Sequence, residues 1–139
     1  MAKRSRARLR ALEILFEAEQ RSMAPDHVLA ARTQHSELTS NEYVTEILNG
    51  VTEHQAEIDE LLSTYARGWT LERMPRVDVM ALRIGAWELL HNPDIPDGVA
   101  VAEAVALVRQ MSTNESPQFV NGLLGRLQQL KPSLGDGEG

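Results

Sequence analysis

Five cations, Lys3, Arg4, Arg6, Arg8 and Arg10, stand in the first ten residues with no acid among them. The 139-residue chain has a formal net charge of -6, so this +5 leaves -11 on residues 11–139. Guanidinium groups at such density suit an anionic partner, above all a run of phosphates. A solvated, frayed terminus is the alternative. The other spacing with chemical potential is Glu88-Leu-Leu-His91, which puts a carboxylate and an imidazole one helical turn apart. Di-metal carboxylate bundles use that element, but in two copies and with two further glutamates. With one copy here, a histidine whose charge suits a helix C-terminus is the better reading. His54-Gln-Ala-Glu57 has the reverse order and reads as surface, while His27 and His35 lack partners at ligand spacing. No phosphate loop, G-x-S-x-G, H-E-x-x-H or cysteine occurs in the chain. No catalytic residue, metal or cofactor is expected, and the chain reads as a non-enzyme.

The elements that would position the arm read as helices. Lys3 to Gln20 keeps Ala7, Ala11, Ile14, Leu15 and Ala18 in one apolar arc, which Leu12 and Phe16 extend. Arg6 and Arg10 lie on the opposite, polar face, but Arg4 and Arg8 project onto the arc. Unpaired arginines would not be buried there, so the first two turns are expected to overhang the core. Cations at a helix N-terminus also oppose the macrodipole, which makes sense if an anion is the missing partner.

Pro25 opens a short second helix through Val28, Leu29 and Arg32, and Thr39 with Glu42 makes a capping box. Apolar residues from Val44 to Tyr65 then keep a helical period, with a break expected between Gly50 and Gln55 because Asn49-Gly50 weakens the middle. Arg67 to Pro75 is a connector in which Thr70 caps one short turn. Val77 to His91 is apolar nearly all round, which marks a buried central helix. Val101 to Met111 marks another. Ser116-Pro117 reads as an N-cap and first-turn proline opening a last helix, which Lys131-Pro132 should end. Gly122 and Gly125 weaken that helix unless another backbone approaches closely. The expected architecture is an all-α, compact bundle of six to seven helices. It forms one domain over residues 1–132, with a disordered tail at 133–139. No segment approaches a membrane span, and a cytoplasmic protein is expected.

RNA recognition also calls for exposed aromatics on which splayed bases stack. Phe16 and Phe119 are the candidates, each with a core position as its alternative.

Several motifs together resemble the NusB family of bacterial transcription antitermination factors. They are the Arg-rich first helix, W-T-L-E-R-M-P-R-V-D at 69–78, L-R-I-G-A-W-E-L-L at 82–90, E-A-V at 103–105 and S-P-Q-F-V-N-G-L-L-G at 116–125. The likeness spans about residues 4–128 in order and spacing. It implies a non-catalytic helical protein that binds single-stranded boxA RNA of ribosomal leader transcripts together with NusE, a small-subunit ribosomal protein. The complex would act with NusA and NusG to help RNA polymerase read through terminators. By position the resemblance assigns Arg4, Arg6, Arg8 and Arg10 to RNA binding, puts Phe16, Asp78, Glu115 and Phe119 on or beside the RNA surface, and turns Glu72 toward NusE. Asp78 and Glu115 could accept a hydrogen bond from a base amino group, or could cap helices or pair with arginine. Ala102 stands where the family has a capping Asn or Asp, and Ser5 where the arm is often basic. Family members can also self-associate, so a homodimer stays open. NusB-like domains occur fused to RNA methyltransferases, for which 139 residues leave no room. The competing reading is a protein-binding helical adaptor in ribosome biogenesis.

Overall fold

The computed structural model describes residues 2–33 and 41–136. Six α-helices account for most of them: α1 (Lys3–Gln20), α2 (Pro25–Thr33), α3 (Glu42–Tyr65), α4 (Arg76–His91), α5 (Asp97–Met111) and α6 (Ser116–Asp136). A single 3-10 turn, Leu71–Arg73, lies between α3 and α4, and no strand occurs among the described residues. The expected Thr39–Glu42 capping box involves Thr39, which lies outside the described residues. The chain forms two compact units, Met1–Glu53 and His54–Gly139, with the division inside α3.

In the first unit, α1 buries Ala7, Ala11, Leu12, Ile14, Leu15 and Ala18. Its C-terminus closes with Met23 N–H donating to Ala18 O at 2.9 Å and Ser22 in the left-handed region at φ 53°. Glu17 then pairs with Arg32 of α2 at 2.7 Å, tying the two helices across the turn. The first residues of α3 bury Val44, Ile47, Leu48 and Val51. Contrary to expectation, α3 does not break between Gly50 and Gln55. A mid-helix glycine costs about 1 kcal/mol, and the burial of four large apolar side chains around Gly50 outweighs it.

In the second unit every residue of α4 from Asp78 to Leu89 is buried, as the all-round apolar pattern requires. At Gly85 α4 packs closely against its neighbours. A Cβ there would lie 2.7 Å from Leu124 Cδ1 of α6 and 2.9 Å from Ala104 Cβ of α5. Gly122 and Gly125 have no such role: nothing lies within 4 Å of a Cβ at Gly125, and only an Arg126 nitrogen at 3.8 Å meets one at Gly122. Arg83 of α4 reaches the far half of α3, donating from Nε and Nη2 to the two carboxylate oxygens of Asp59, each at 2.9 Å. That two-bond geometry satisfies a cation that is only 9% exposed.

Two helix boundaries differ from the sequence reading. α5 starts at Asp97, so Ala102 is inside a helix and no cap is lost there. α6 does not stop at Lys131-Pro132 but runs through Pro132 to Asp136, so the expected disordered tail begins as helix. Proline removes one backbone hydrogen bond, and the Lys131 Nζ to Asp97 Oδ1 ion pair at 2.7 Å holds this end of α6 to the start of α5.

Candidate nucleic-acid interface

The basic arm is the first half of α1. Its N-cap is Ala2, which offers no side-chain bond, and its first turn contains no acid. Lys3, Arg4 and Arg6 are exposed, and Arg10 is half-buried and paired with Glu13 at 2.7 Å. Arg8 overturns the expectation that the arginines on the apolar arc would overhang the core: it is only 2 % exposed. Tyr43 is one of its partners. The Arg8 guanidinium carbon lies 5.8 Å from the centroid of the Tyr43 ring and that of Arg4 lies 5.1 Å from it. An aromatic face attracts a cation through its quadrupole, by up to about 2 kcal/mol when water is excluded. Among the described residues no buried side-chain nitrogen or oxygen lacks a hydrogen-bond partner, so the buried cation is also satisfied.

Asn41 sets this geometry. Its Oδ1 accepts the Tyr43 N–H at 3.0 Å, which caps α3, and its Nδ2 donates to the Lys3 carbonyl at 3.2 Å. One amide side chain thus fastens the start of α1 to the start of α3. Phe16 is half-buried on the same helix, eight residues beyond Arg8, or roughly 12 Å along the axis.

The second unit gathers Asp78, Glu115 and Phe119. Asp78 is the third residue of α4, where a carboxylate suits the helix dipole, and it is 2 % exposed. Its Oδ1 accepts from Ser112 Oγ at 2.7 Å and its Oδ2 from Ser116 Oγ at 2.9 Å. With the Ser116 proton committed to Asp78, Ser116 Oγ accepts from Thr113 Oγ1 at 2.8 Å and from Thr113 N–H at 3.2 Å. Ser116 is therefore not the helix cap that Ser-Pro suggested. Its hydroxyl fastens the 112–115 loop to the first turn of α4.

Beside this network, Phe119 is half-buried and meets Trp69 edge to face, with centroids 6.1 Å apart and planes at 61°. Trp69 is 53 % exposed. It follows Arg67 and Gly68, both at positive φ (52° and 92°), which turn the chain out of α3. The two rings, with Met74, Pro75, Thr113 and Glu115, line a largely apolar cleft of about 280 Å³. Glu115 is exposed at its rim. Glu72 is exposed on the 3-10 turn and lies outside this lining. Sequence reading had singled out neither Tyr43 nor Trp69. The signal for Trp69 was present, a tryptophan in a Gly-Trp-Thr connector rather than in a helix stripe; Tyr43 has none, because its cations are 35 and 39 residues away.

The chain matches the model of the NusB family over residues 5–129. This chain belongs to the NusB family. Relatives called transcription antitermination protein NusB include one from Arthrobacter sp. (strain FB24), 63% identical over 134 residues that cover 96% of this chain and 98% of the relative. The NusB protein of Thermobifida fusca (strain YX) is 56% identical over 131 residues, covering 94% and 92%. Among solved structures, T. maritima NusB is 30% identical with a TM-score of 0.81, covering 93% of this chain and 92% of that one. The crystal structure of antitermination factors NusB and NusE in complex with dsRNA shares the fold at a TM-score of 0.77 and 24% identity, covering 93% and 98%. The helical NusB fold is thus common to this chain and to structures that have diverged far in sequence. The family match takes in both the arginine arm from residue 5 and the aromatic cleft. No helix among the described residues is long and apolar enough to cross a membrane.

Proposed function

We propose that this chain is a non-catalytic, cytoplasmic antitermination factor that binds single-stranded boxA RNA as one half of a heterodimer with a NusE-type ribosomal protein. The complex acts with NusA, NusG and RNA polymerase. The observation that carries the reading is the arm itself: cations on the first three turns of α1, exposed at Lys3, Arg4 and Arg6, with Arg4 and Arg8 set on the Tyr43 ring. Such an arm is oriented before its partner arrives, so less ordering entropy is lost on binding. Arg4, Arg6 and Arg10 are assigned to phosphates. Arg8, buried, holds the arm to Tyr43.

The cleft between Trp69 and Phe119 supplies what phosphate contacts lack, a way to read bases. A splayed base stacks on the exposed indole, and Glu115 at the rim accepts from an exocyclic amino group. Asp78 acts from beneath, as a positioning residue for the loop. Phe16 extends the RNA surface along α1, and Glu72 faces the protein partner. The acidic remainder of the chain opposes indiscriminate RNA binding.

The test is a titration of boxA RNA across salt concentrations, with and without the NusE-type partner. Arg4→Ala with Arg6→Ala should weaken binding and lower the salt slope by roughly 0.7 per lost phosphate contact. Trp69→Ala should weaken binding by about 1 to 3 kcal/mol without changing that slope. Unchanged affinity and slope in the arginine double variant would remove the arm from the mechanism, and partner binding indifferent to boxA would favour an adaptor instead.

A further inference from the structure

Away from the cleft, the second unit brings three side chains with metal-ligand chemistry to the C-terminal end of α4. His54 and Glu57 are one turn apart on α3, and His91 is the last residue of α4. His91 Nε2 lies 2.9 Å from Glu57 Oε1, and His54 Nδ1 lies 3.9 Å from Glu57 Oε2. The two imidazole rings are stacked, with centroids 3.7 Å apart and planes at 10°. One ligand atom from each of the three residues lies within 4.8 Å of the other two. Glu88, which the sequence spacing paired with His91, is buried and is not one of the three.

We infer that His54, Glu57 and His91 form a binding site for a divalent transition metal ion, Zn²⁺ by the chemistry of the donors. Two imidazoles and one carboxylate are a borderline set. Mg²⁺ and Ca²⁺ call for oxygen alone, and the absence of thiolates disfavours Cu(I). Three protein ligands leave one position of a tetrahedral ion for water, the arrangement of open zinc sites.

The geometry requires a short contraction. With bonds of about 2.0–2.1 Å, ligand atoms around a tetrahedral zinc stand roughly 3.4 Å apart, so the widest present separation must close by about 1 Å or a little more. The side chains can supply this by rotation, being 28% (His54), 52% (Glu57) and 21% (His91) exposed. Both rings must turn out of their stack so that their in-plane lone pairs converge on the ion. Glu57 and His91 also line an open cleft of about 850 Å³, together with Asp97 and Lys131, which gives the ion access from solvent. Binding would clamp the middle of α3 to the end of α4. The RNA reading uses none of the three residues, so the two stand or fall separately.

The experiment is calorimetric titration of the chelator-treated full chain with zinc chloride, repeated on His54→Ala, Glu57→Gln and His91→Ala. The expected result is one ion per chain, with affinity at least roughly ten-fold weaker in each variant and unchanged in His27→Ala, which alters an exposed histidine of α2. Cobalt substitution gives a readout independent of stability: intense visible d–d bands mark a low-coordinate site, and they should vanish in His91→Ala. No saturable zinc binding overturns the inference, as does zinc affinity that survives in both His54→Ala and His91→Ala.

Discussion

Arg8 and Tyr43 are buried together, the guanidinium carbon 5.8 Å from the ring centroid, although 35 residues separate them in the chain. The tyrosine face helps a cation occupy the apolar arc of α1. Replacing Tyr43 with leucine keeps apolar volume but removes the quadrupole, and should cost about 1 to 2 kcal/mol in urea unfolding. Phenylalanine retains the ring and should recover the cation–ring part of that loss. Equal stability of the leucine and phenylalanine variants would show that the ring does not hold the arginine.

Ser116→Ala tests the fastening of the 112–115 loop. One oxygen of buried Asp78 would lose its hydroxyl partner, costing about 1 to 3 kcal/mol. Amide exchange should rise at Thr113, whose N–H donates to Ser116 Oγ, and not only in the first turn of α6. Faster exchange confined to α6 would return Ser116 to the role of a simple cap.

The glycines of α4 and α6 should respond in opposite directions to alanine. At Gly85 the new methyl meets Ala104 Cβ at 2.9 Å, a short side chain with nowhere to go, so helix backbones must shift at a cost of about 1 to 3 kcal/mol. At Gly125 the space is open, and alanine should stabilise by roughly 0.5 to 1 kcal/mol through helix propensity. Thermal unfolding of the two variants checks both signs.

Hydrogen bonds from Arg32 and then Arg21 hold the Glu17 carboxyl below the ordinary glutamate value. A folded-state pKa below the unfolded one means that this carboxylate's contribution is complete above the unfolded value, about 4.3, and is lost as pH falls through the lowered folded value. Glu17→Gln should therefore flatten the decline of stability with acid in that window and leave the decline elsewhere unchanged. Denaturant midpoints measured from neutral pH downward would show it; parallel curves for the two proteins would contradict the assignment.

The helices were legible wherever one sequence segment carries its own signal. The all-round apolar run of α4, the arc of α1 and the stripe of α6 each describe a burial pattern that the fold then realises. Two of the misreadings, at Asn49-Gly50 and Lys131-Pro132, are places where local propensity argues for a stop and packing overrides it. At the candidate interface the same division holds. The cation density of the arm is a local property and was visible. The burial of Arg8, the Ser116 hydroxyl turning to Asp78, and His54 stacking on His91 each depend on a partner at least 35 residues away, which no local pattern reports.

The fastening of the 112–115 loop separates its shape from its surface chemistry. The shape rests on Ser112, Thr113, Ser116 and Asp78, whereas the Asn114 and Glu115 side chains are exposed and take no part in it. Substitutions at those two positions should therefore change the functional groups displayed at the loop surface while the underlying mount keeps its form.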